Sequence, residues 1–318
     1  MQKYYIGIME SDKNIAINWI FKGENELEFM SHFSTEESCY AYLNKYKWAN
    51  GFECTNCGCK EAYDSKKKVY HKQCKACLRV VSPKSHTLFH NVKFSIIKAF
   101  YIVFKMSATT KSISSEQLSK SVGINRKSAL LFQNKVRRAM QSIGDYPMKG
   151  QVEVDEAYVG GKEEGKIGRG AEKKALIVVA IEKYGTTGIK RMYARNIENA
   201  STSELEKIFD LHISKEAKVL TDQWKSYNAI AKIFDITQEK SEPDKNFKLM
   251  HRGIQQLKSW IRGVHHSIDK RYLQAYLDEF CYRINRSVHK QTIFDNLLQR
   301  MVQGEPFPKK LLKMTYCT

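Results

Sequence analysis

The chain has 318 residues, 42% of them hydrophobic, with 53 Lys or Arg against 34 Asp or Glu and a formal charge of +19. That length and apolar share support two or three domains with real cores and exclude a small peptide held only by staples. Positive charge spread along the whole chain points to a polyanionic partner. A merely soluble basic protein is the alternative, and the lack of a dominant basic amphipathic helix disfavours a membrane surface. No charged–apolar–small leader stands at Met1 and no apolar run approaches the length of a membrane span. The expected setting is cytoplasmic, with no membrane partner.

Residues 1–32 are an N-terminal extension without an assigned role. Their alternation, as in Ile15-Ala16-Ile17-Asn18-Trp19-Ile20, suits a small hairpin. Residues 33–92 read as a helix followed by a zinc ribbon. Ser34-Thr35-Glu36-Glu37 opens an N-capped helix over 34–46. Two Cys-x-x-Cys pairs come next, Cys54 with Cys57 and Cys74 with Cys77. Two short turns of this spacing offer four thiolates to one tetrahedral Zn²⁺. Between the pairs stand Lys60, Lys66, Lys67, Lys68 and Lys72 with Tyr63 and Tyr70, and no long apolar run, so metal rather than a core would hold the segment together. Two disulfides, unrelated thiols or redox chemistry are the other readings; a reducing compartment and the repeated motif favour zinc. Cys59, beside the first pair, competes as a ligand, whereas Cys39, Cys281 and Cys317 are scattered.

Residues 93–147 read as a helical, helix-turn-helix-like DNA-binding domain. The stretch 94–106 is apolar and aromatic enough for a buried helix. A capped helix over 112–122, a turn at Gly123 and a basic helix from Asn125-Arg126-Lys127 to about residue 143 follow. Plain helical bundles share this pattern; the charge and the neighbouring ribbon tilt it toward DNA.

After Pro147 the pattern changes to an α/β layer over 148–290, leaving 291–318 as a C-terminal tail. Strands are predicted at 151–159, 175–181 and 191–196, a helix at 203–213, a strand at 217–221, and helices beyond. Residues 162–174 are basic, contain glycine and read as a loop. Asp155 lies within the first of these strands and Asp222 ends the fourth. Acids inside apolar strands are costly unless they bind a cation or a partner, and two of them on neighbouring strands could share divalent metal of the kind that drives phosphodiester chemistry. The alternative is that each acid only ends a strand and faces solvent.

Several motifs carry a resemblance: Trp48-Ala49-Asn50-Gly51-Phe52-Glu53-Cys54, Val154-Asp155-Glu156-Ala157-Tyr158-Val159-Gly160-Gly161-Lys162, Thr221-Asp222-Gln223-Trp224-Lys225-Ser226-Tyr227, and His265-His266 on to Asn285-Arg286. Together they resemble the bacterial insertion-sequence DDE-type transposases with an N-terminal zinc ribbon, of the Merlin-related superfamily, over residues 33–286. The resemblance implies a ribonuclease-H-like catalytic domain with Asp155 and Asp222 as the first two ligands of a catalytic Mg²⁺ or Mn²⁺. The family's third ligand is usually a Glu on a late helix with a Lys seven positions on. Here Lys258 holds the lysine position and His251 the ligand position, an Asp-Asp-His variant. Seven residues make about two helical turns, so both would project from one face. His251 as a surface histidine beside Arg252 is the other reading. Imidazole suits softer ions than Mg²⁺, which shifts preference toward Mn²⁺. Gln256 departs from an Asn of some relatives, His265 and His266 either line the same groove or are structural, and Trp260 reads as packing. The implied partners are double-stranded DNA, both element ends and target, and further copies of the chain, in the bacterial nucleoid. A catalytically inactive DNA-binding regulator and a nuclease without strand transfer are the alternatives.

Overall fold

The computed structural model describes residues 20–23, 25–66, 68–109, 111–160, 174–185, 188–242, 245–264 and 269–314. In chain order the elements are helices α1 (Glu26–His32) and α2 (Glu36–Lys47), strands β1 (Ala62–Asp64), β2 (Lys72–Cys74) and β3 (Val80–Val81), and helices α3 (Ile96–Ala108), α4 (Ser115–Val122) and α5 (Arg126–Met140). Strands β4 (Gln151–Val159), β5 (Ala175–Tyr184) and β6 (Gly188–Ile197), helix α6 (Thr202–His212), β7 (Lys218–Thr221), α7 (Tyr227–Ile230) and β8 (Asp235–Gln238) come next. Helices α8 (Lys248–Arg262), α9 (Lys270–Ile284), α10 (Ile293–Gln303) and α11 (Lys309–Met314) complete the order. Most of the hairpin expected near the N-terminus lies outside the described residues; its last residues begin α1.

Contacts divide the chain into two compact units, residues 1–108 with 289–306, and residues 109–288 with 307–318. In the first, Thr35 caps α2 by accepting the Ser38 N–H. Phe29 and Phe104 stack with centroids 4.6 Å apart, and Phe294 of α10 joins them, 5.5 Å from Phe33. The Tyr42 hydroxyl donates to Asp295 Oδ1 at 2.5 Å. The stretch taken as a tail therefore carries α10, whose Ile293, Phe294, Leu297, Leu298 and Met301 recur at helical spacing and are buried. Residues 93–147 are shared out as well: α3 belongs to this unit, α4 and α5 to the other.

In the second unit, five strands among the described residues form one sheet in the order β6-β5-β4-β7-β8. β4, β5 and β6 are antiparallel neighbours; β7 runs parallel to β4 and β8 parallel to β7. This is the ribonuclease-H-like arrangement. Alternation along β4 sends Val152 and Val154 toward α6 (Leu205, Ile208, Phe209) and Ala157 and Val159 toward α8 and α9 (Ile254, Leu257, Leu273, Leu277). Both faces of β5 are covered, which is why residues 177–181 are apolar throughout. Gly253 lets α8 lie close on the sheet, since a Cβ there would stand 2.6 Å from Ile181 Cδ1. The expected strands and α6 are present; β8 is a four-residue edge strand that the sequence reading passed over.

The predicted turn between α4 and α5 is also present. Ser114 and Gln117 form a capping box, Gly123 ends α4 at φ 61°, and Asn125 caps α5. Arg126, Lys127 and Ser128 at the start of α5 are exposed, as is Arg138 near its end. Further along, Arg137 Nε donates to Glu279 Oε2 at 2.8 Å, tying α5 to α9, and within α9 Arg283 Nη2 donates to Glu279 Oε1 at 2.8 Å. Burial alone would raise the Glu279 carboxyl; the two guanidiniums outweigh it and hold it down at about 2.

Candidate active site

The ribbon brings its four cysteines together. Cys54 Sγ lies 3.6 Å from Cys77 Sγ and Cys57 Sγ 3.5 Å from Cys74 Sγ, and all four sulfurs fall within 4.8 Å of one another. Each pair sits on a tight turn closed by Gly58 N–H to Cys54 O and Leu78 N–H to Cys74 O, with Gly58 and Leu78 left-handed at φ 71° and 59°. Backbone N–H groups at Asn56, Cys77 and Arg79 respectively hold the Cys54, Cys74 and Cys77 thiols below their usual range. Zinc–sulfur bonds of about 2.3 Å imply tetrahedral edges of about 3.8 Å, so this donor set fits Zn²⁺. Cys59 stands outside it, its Sγ accepting the Glu61 N–H.

In the second unit, β4 and β7 are paired only as far as Val154 and Thr221. Asp222 leaves β7 there, beside Asp155, and the rest of β4 continues without β7. Carboxylate oxygens of Asp155, Glu156 and Asp222 consequently lie within 4.8 Å of one another. The Glu156 N–H donates to Asp155 Oδ1 at 2.8 Å and the Trp224 N–H to Asp222 Oδ1 at 3.1 Å. The buried Tyr227 hydroxyl donates to Glu156 Oε1 at 2.8 Å. Burial, with Asp222 adjacent, pushes the Asp155 carboxyl up to about 6. Burial also pushes Glu156 up to about 7, against the Tyr227 hydrogen bond.

Helix α8 borders this cluster. His251 Nε2 lies 4.0 Å from Asp155 Oδ2. His251, Gln255 and Lys258 line one groove with Asp155 and Glu156, as positions three and four apart on a helix must. Gln256, singled out from the sequence, is exposed, while Gln255 faces the groove. Burial, with Arg262 nearby, lowers the Lys258 ammonium. Glu153 fixes the helix: its buried Oε2 accepts the Met250 N–H at 3.2 Å, and Oε1 pairs with Lys183 at 2.7 Å. The N-cap, Phe247, is left-handed at φ 54° and supplies no side-chain cap among the described residues. Trp260 packs on the sheet-facing core beside Phe280. His265 and His266 lie outside the described residues. Sequence reasoning missed Glu156, Glu153 and Tyr227. Strand alternation puts Glu156 on the face opposite Asp155, and only the open edge past β7 lets the two carboxylates meet.

A ribonuclease-H-like sheet with acids gathered at the junction of its first and fourth strands defines a DDE-type enzyme domain. Residues 147–285 match the ISXO2-like transposase domain and residues 34–80 the transposase zinc-ribbon domain. Both matches are to domains of insertion-sequence transposases, one over the ribbon and one over the sheet. No curated protein matches the chain. Among solved structures it is similar to a simian T-cell lymphotropic virus intasome in complex with PP2A regulatory subunit B56 gamma, at 13% identity and TM-score 0.28, covering 56% of this chain and 64% of that one. It is also similar to a pre-cleavage Mos1 transpososome, at 9% identity and TM-score 0.24, covering 62% and 76%. The chain thus spans just under two thirds of the intasome chain. At TM-scores this low neither superposition bears on function or assembly.

Proposed function

We propose that the chain is a transposase that binds the terminal inverted repeats of an insertion sequence, cleaves at its ends and joins the freed 3′ end to target DNA. The observation that carries this reading is the convergence of Asp155, Glu156 and Asp222 at one strand junction inside the matched transposase domain. These hard oxygen donors suit Mg²⁺ or Mn²⁺. Burial and the crowding of acids hold Asp155 and Glu156 up, a state that a cation relieves. His251 would complete an Asp-Asp-His set and favour Mn²⁺. Bound there, the cation supplies Lewis-acid stabilisation of charge building on the transferring phosphoryl group.

The chain's own groups do the positioning. Glu156 N–H and Trp224 N–H fix one oxygen each of Asp155 and Asp222 before substrate arrives. Lys258 would bind a substrate phosphate as a point charge in the same groove. Arg126 and Lys127 at the open start of α5, with the ribbon lysines, would hold duplex phosphates and make binding salt-sensitive. Two element ends call for at least two copies of the chain, working at the bacterial nucleoid. Among the described residues no helix is long and apolar enough to cross a membrane.

The test is incubation of the protein with DNA carrying the sequences that flank its gene, in Mg²⁺ or Mn²⁺. Cleavage and strand-transfer products are expected. Asp155→Asn should lower both on the order of a thousandfold or more while sparing binding. Binding without cleavage by the natural protein would point instead to a regulator, and cleavage without joining to a nuclease.

A further inference from the structure

Strand β6 is one edge of the sheet, and side chains of α9 already match its outward backbone groups. Gln274 stands in for a missing strand: its Nε2 donates to Ala194 O at 3.2 Å and its Oε1 accepts the Asn196 N–H at 2.9 Å. Asn285 does the same at Met192, accepting its N–H at 2.7 Å and donating to its O at 3.0 Å. Beside this covered edge, the ends of α5 and α6 together with α9 border a hollow of about 230 Å³, lined among others by Arg137, Arg138, Arg195, His212 and Asp278. It shares no described lining residue with the groove of Asp155. Register separates the two as well. Arg195 pairs with Val178, and Val178 with Glu156, so Arg195 stands two strands, roughly 10 Å, across the sheet from Glu156.

We infer that this hollow binds a single phosphate group, apart from the catalytic centre. Three guanidiniums line it, and the protein leaves each with donors to spare. Arg195 makes no hydrogen bond or ion pair among the described residues. Arg138, exposed, donates to the Gln141 side chain through Nη1. Arg137 is 1% exposed and gives Glu279 only its Nε; its Nη1 and Nη2 have no partner. Covered N–H groups of a cation are costly unless something accepts from them. Arg137 and Arg283 moreover share the one carboxylate of Glu279, so positive charge is in excess there. His212, stacked on Tyr193 at 4.0 Å, adds a buried Nδ1 without a partner. Burial, with the Arg195 charge, pushes its imidazole down to about 4, so it stays neutral and can offer an N–H in one tautomer. Asp278 is the one carboxylate among the described lining residues. Burial pushes it up to about 7, so at neutral pH it offsets the arginines only in part. Guanidinium forks match a tetrahedral oxyanion, and the spare donors of Arg137, Arg195 and His212 outnumber the two oxygens of a carboxylate. The volume falls below the roughly 300–1,000 Å³ of sites for drug-sized ligands, which leaves out a nucleoside.

The experiment titrates inorganic phosphate into the full-length protein by calorimetry, at constant ionic strength set with chloride. Neither DNA nor added divalent cation is present, so the outcome does not depend on the function proposed above. Saturable binding is expected. Arg195→Ala and, separately, Arg138→Ala should each weaken it about tenfold or more; the second variant covers the case in which the first fails to fold. Lys258→Ala, in the groove of the carboxylates, should leave it unchanged. A duplex then separates the two sources of such a group. If phosphate displaces the duplex more than chloride of equal ionic strength does, and Arg195→Ala removes the difference, the ligand is a backbone phosphate of DNA. If phosphate binds and the duplex is held as before, the ligand is free phosphate or a small phosphorylated molecule. Heats no different from those of chloride, binding that survives both arginine substitutions, or binding lost in Lys258→Ala overturns the inference.

Discussion

The ribbon and the catalytic sheet solve the same problem, gathering like-charged ligands, in opposite ways. The ribbon takes four soft ligands from two turns and has almost no core: of its strand residues only Cys74 and Val81 are buried. The sheet takes hard ligands from β4 and the end of β7, positions 67 residues apart in sequence for Asp155 and Asp222, and rests on two apolar clusters, one on each face. Metal should therefore make the ribbon, whereas the sheet should exist first and receive its metal afterwards.

Stripping zinc gives the sharpest break between the two. Structural zinc contributes on the order of 10 kcal/mol to comparable small modules. Chelation, or Cys57→Ser, should abolish amide protection across 54–81 and leave 151–221 protected, as hydrogen exchange would reveal. Persisting protection in the metal-free ribbon would show that it holds without its ion.

The next effect concerns the sheet's own supports. Arg137 and Glu279 are both buried, so Arg137→Ala leaves an acid without one of its two guanidiniums and should cost about 3–5 kcal/mol in denaturant unfolding of that unit. Replacing both partners, Arg137→Met with Glu279→Leu, should recover most of the loss. A single substitution below about 1 kcal/mol would mean that Arg283 alone suffices.

The smallest effect sits at the metal site. Asp155 and Glu156 are raised to about 6 and about 7, above their unfolded values. Their contribution to stability is thus present at about pH 4 and below and is lost as pH rises through 6 and 7. Solvent reaches 23% of the Asp155 side chain, which trims its share of that loss to about 1–2 kcal/mol. Melting of the metal-free protein between pH 5 and 8 should show the decline, and Asp155→Asn or saturating Mn²⁺ should flatten it. Parallel curves for the natural and Asp155→Asn proteins would mean that the acids do not repel one another as their spacing implies.

How legible each region was follows from the same contrast. Cysteines three residues apart declare a turn, and a second pair declares the shared ion; no other part of the fold is needed. The period of β4 and the apolar run of β5 likewise announced the sheet, and Ser114 with Gln117 announced α4. Asp155 and Asp222 could be marked as acids in apolar strands, and the separation of His251 from Lys258 put both on one helical face. Glu156 could not be read that way, because period-two alternation sends it to the opposite face. Glu153 carries no local signal, because its role depends on α8 resting an N-terminus without a side-chain cap on it. Helix α10 was passed over because its partners, α2 and α3, lie some two hundred residues earlier.

By itself, then, the sequence determined what depends on neighbours along the chain: the cysteine turns, the helix caps, the strand periods and the charge that seeks a polyanion. Tertiary structure decided what depends on where strands stop and which faces meet. β7 parts from β4 one residue before Asp155, and that single register turns carboxylates on opposite faces into one cluster.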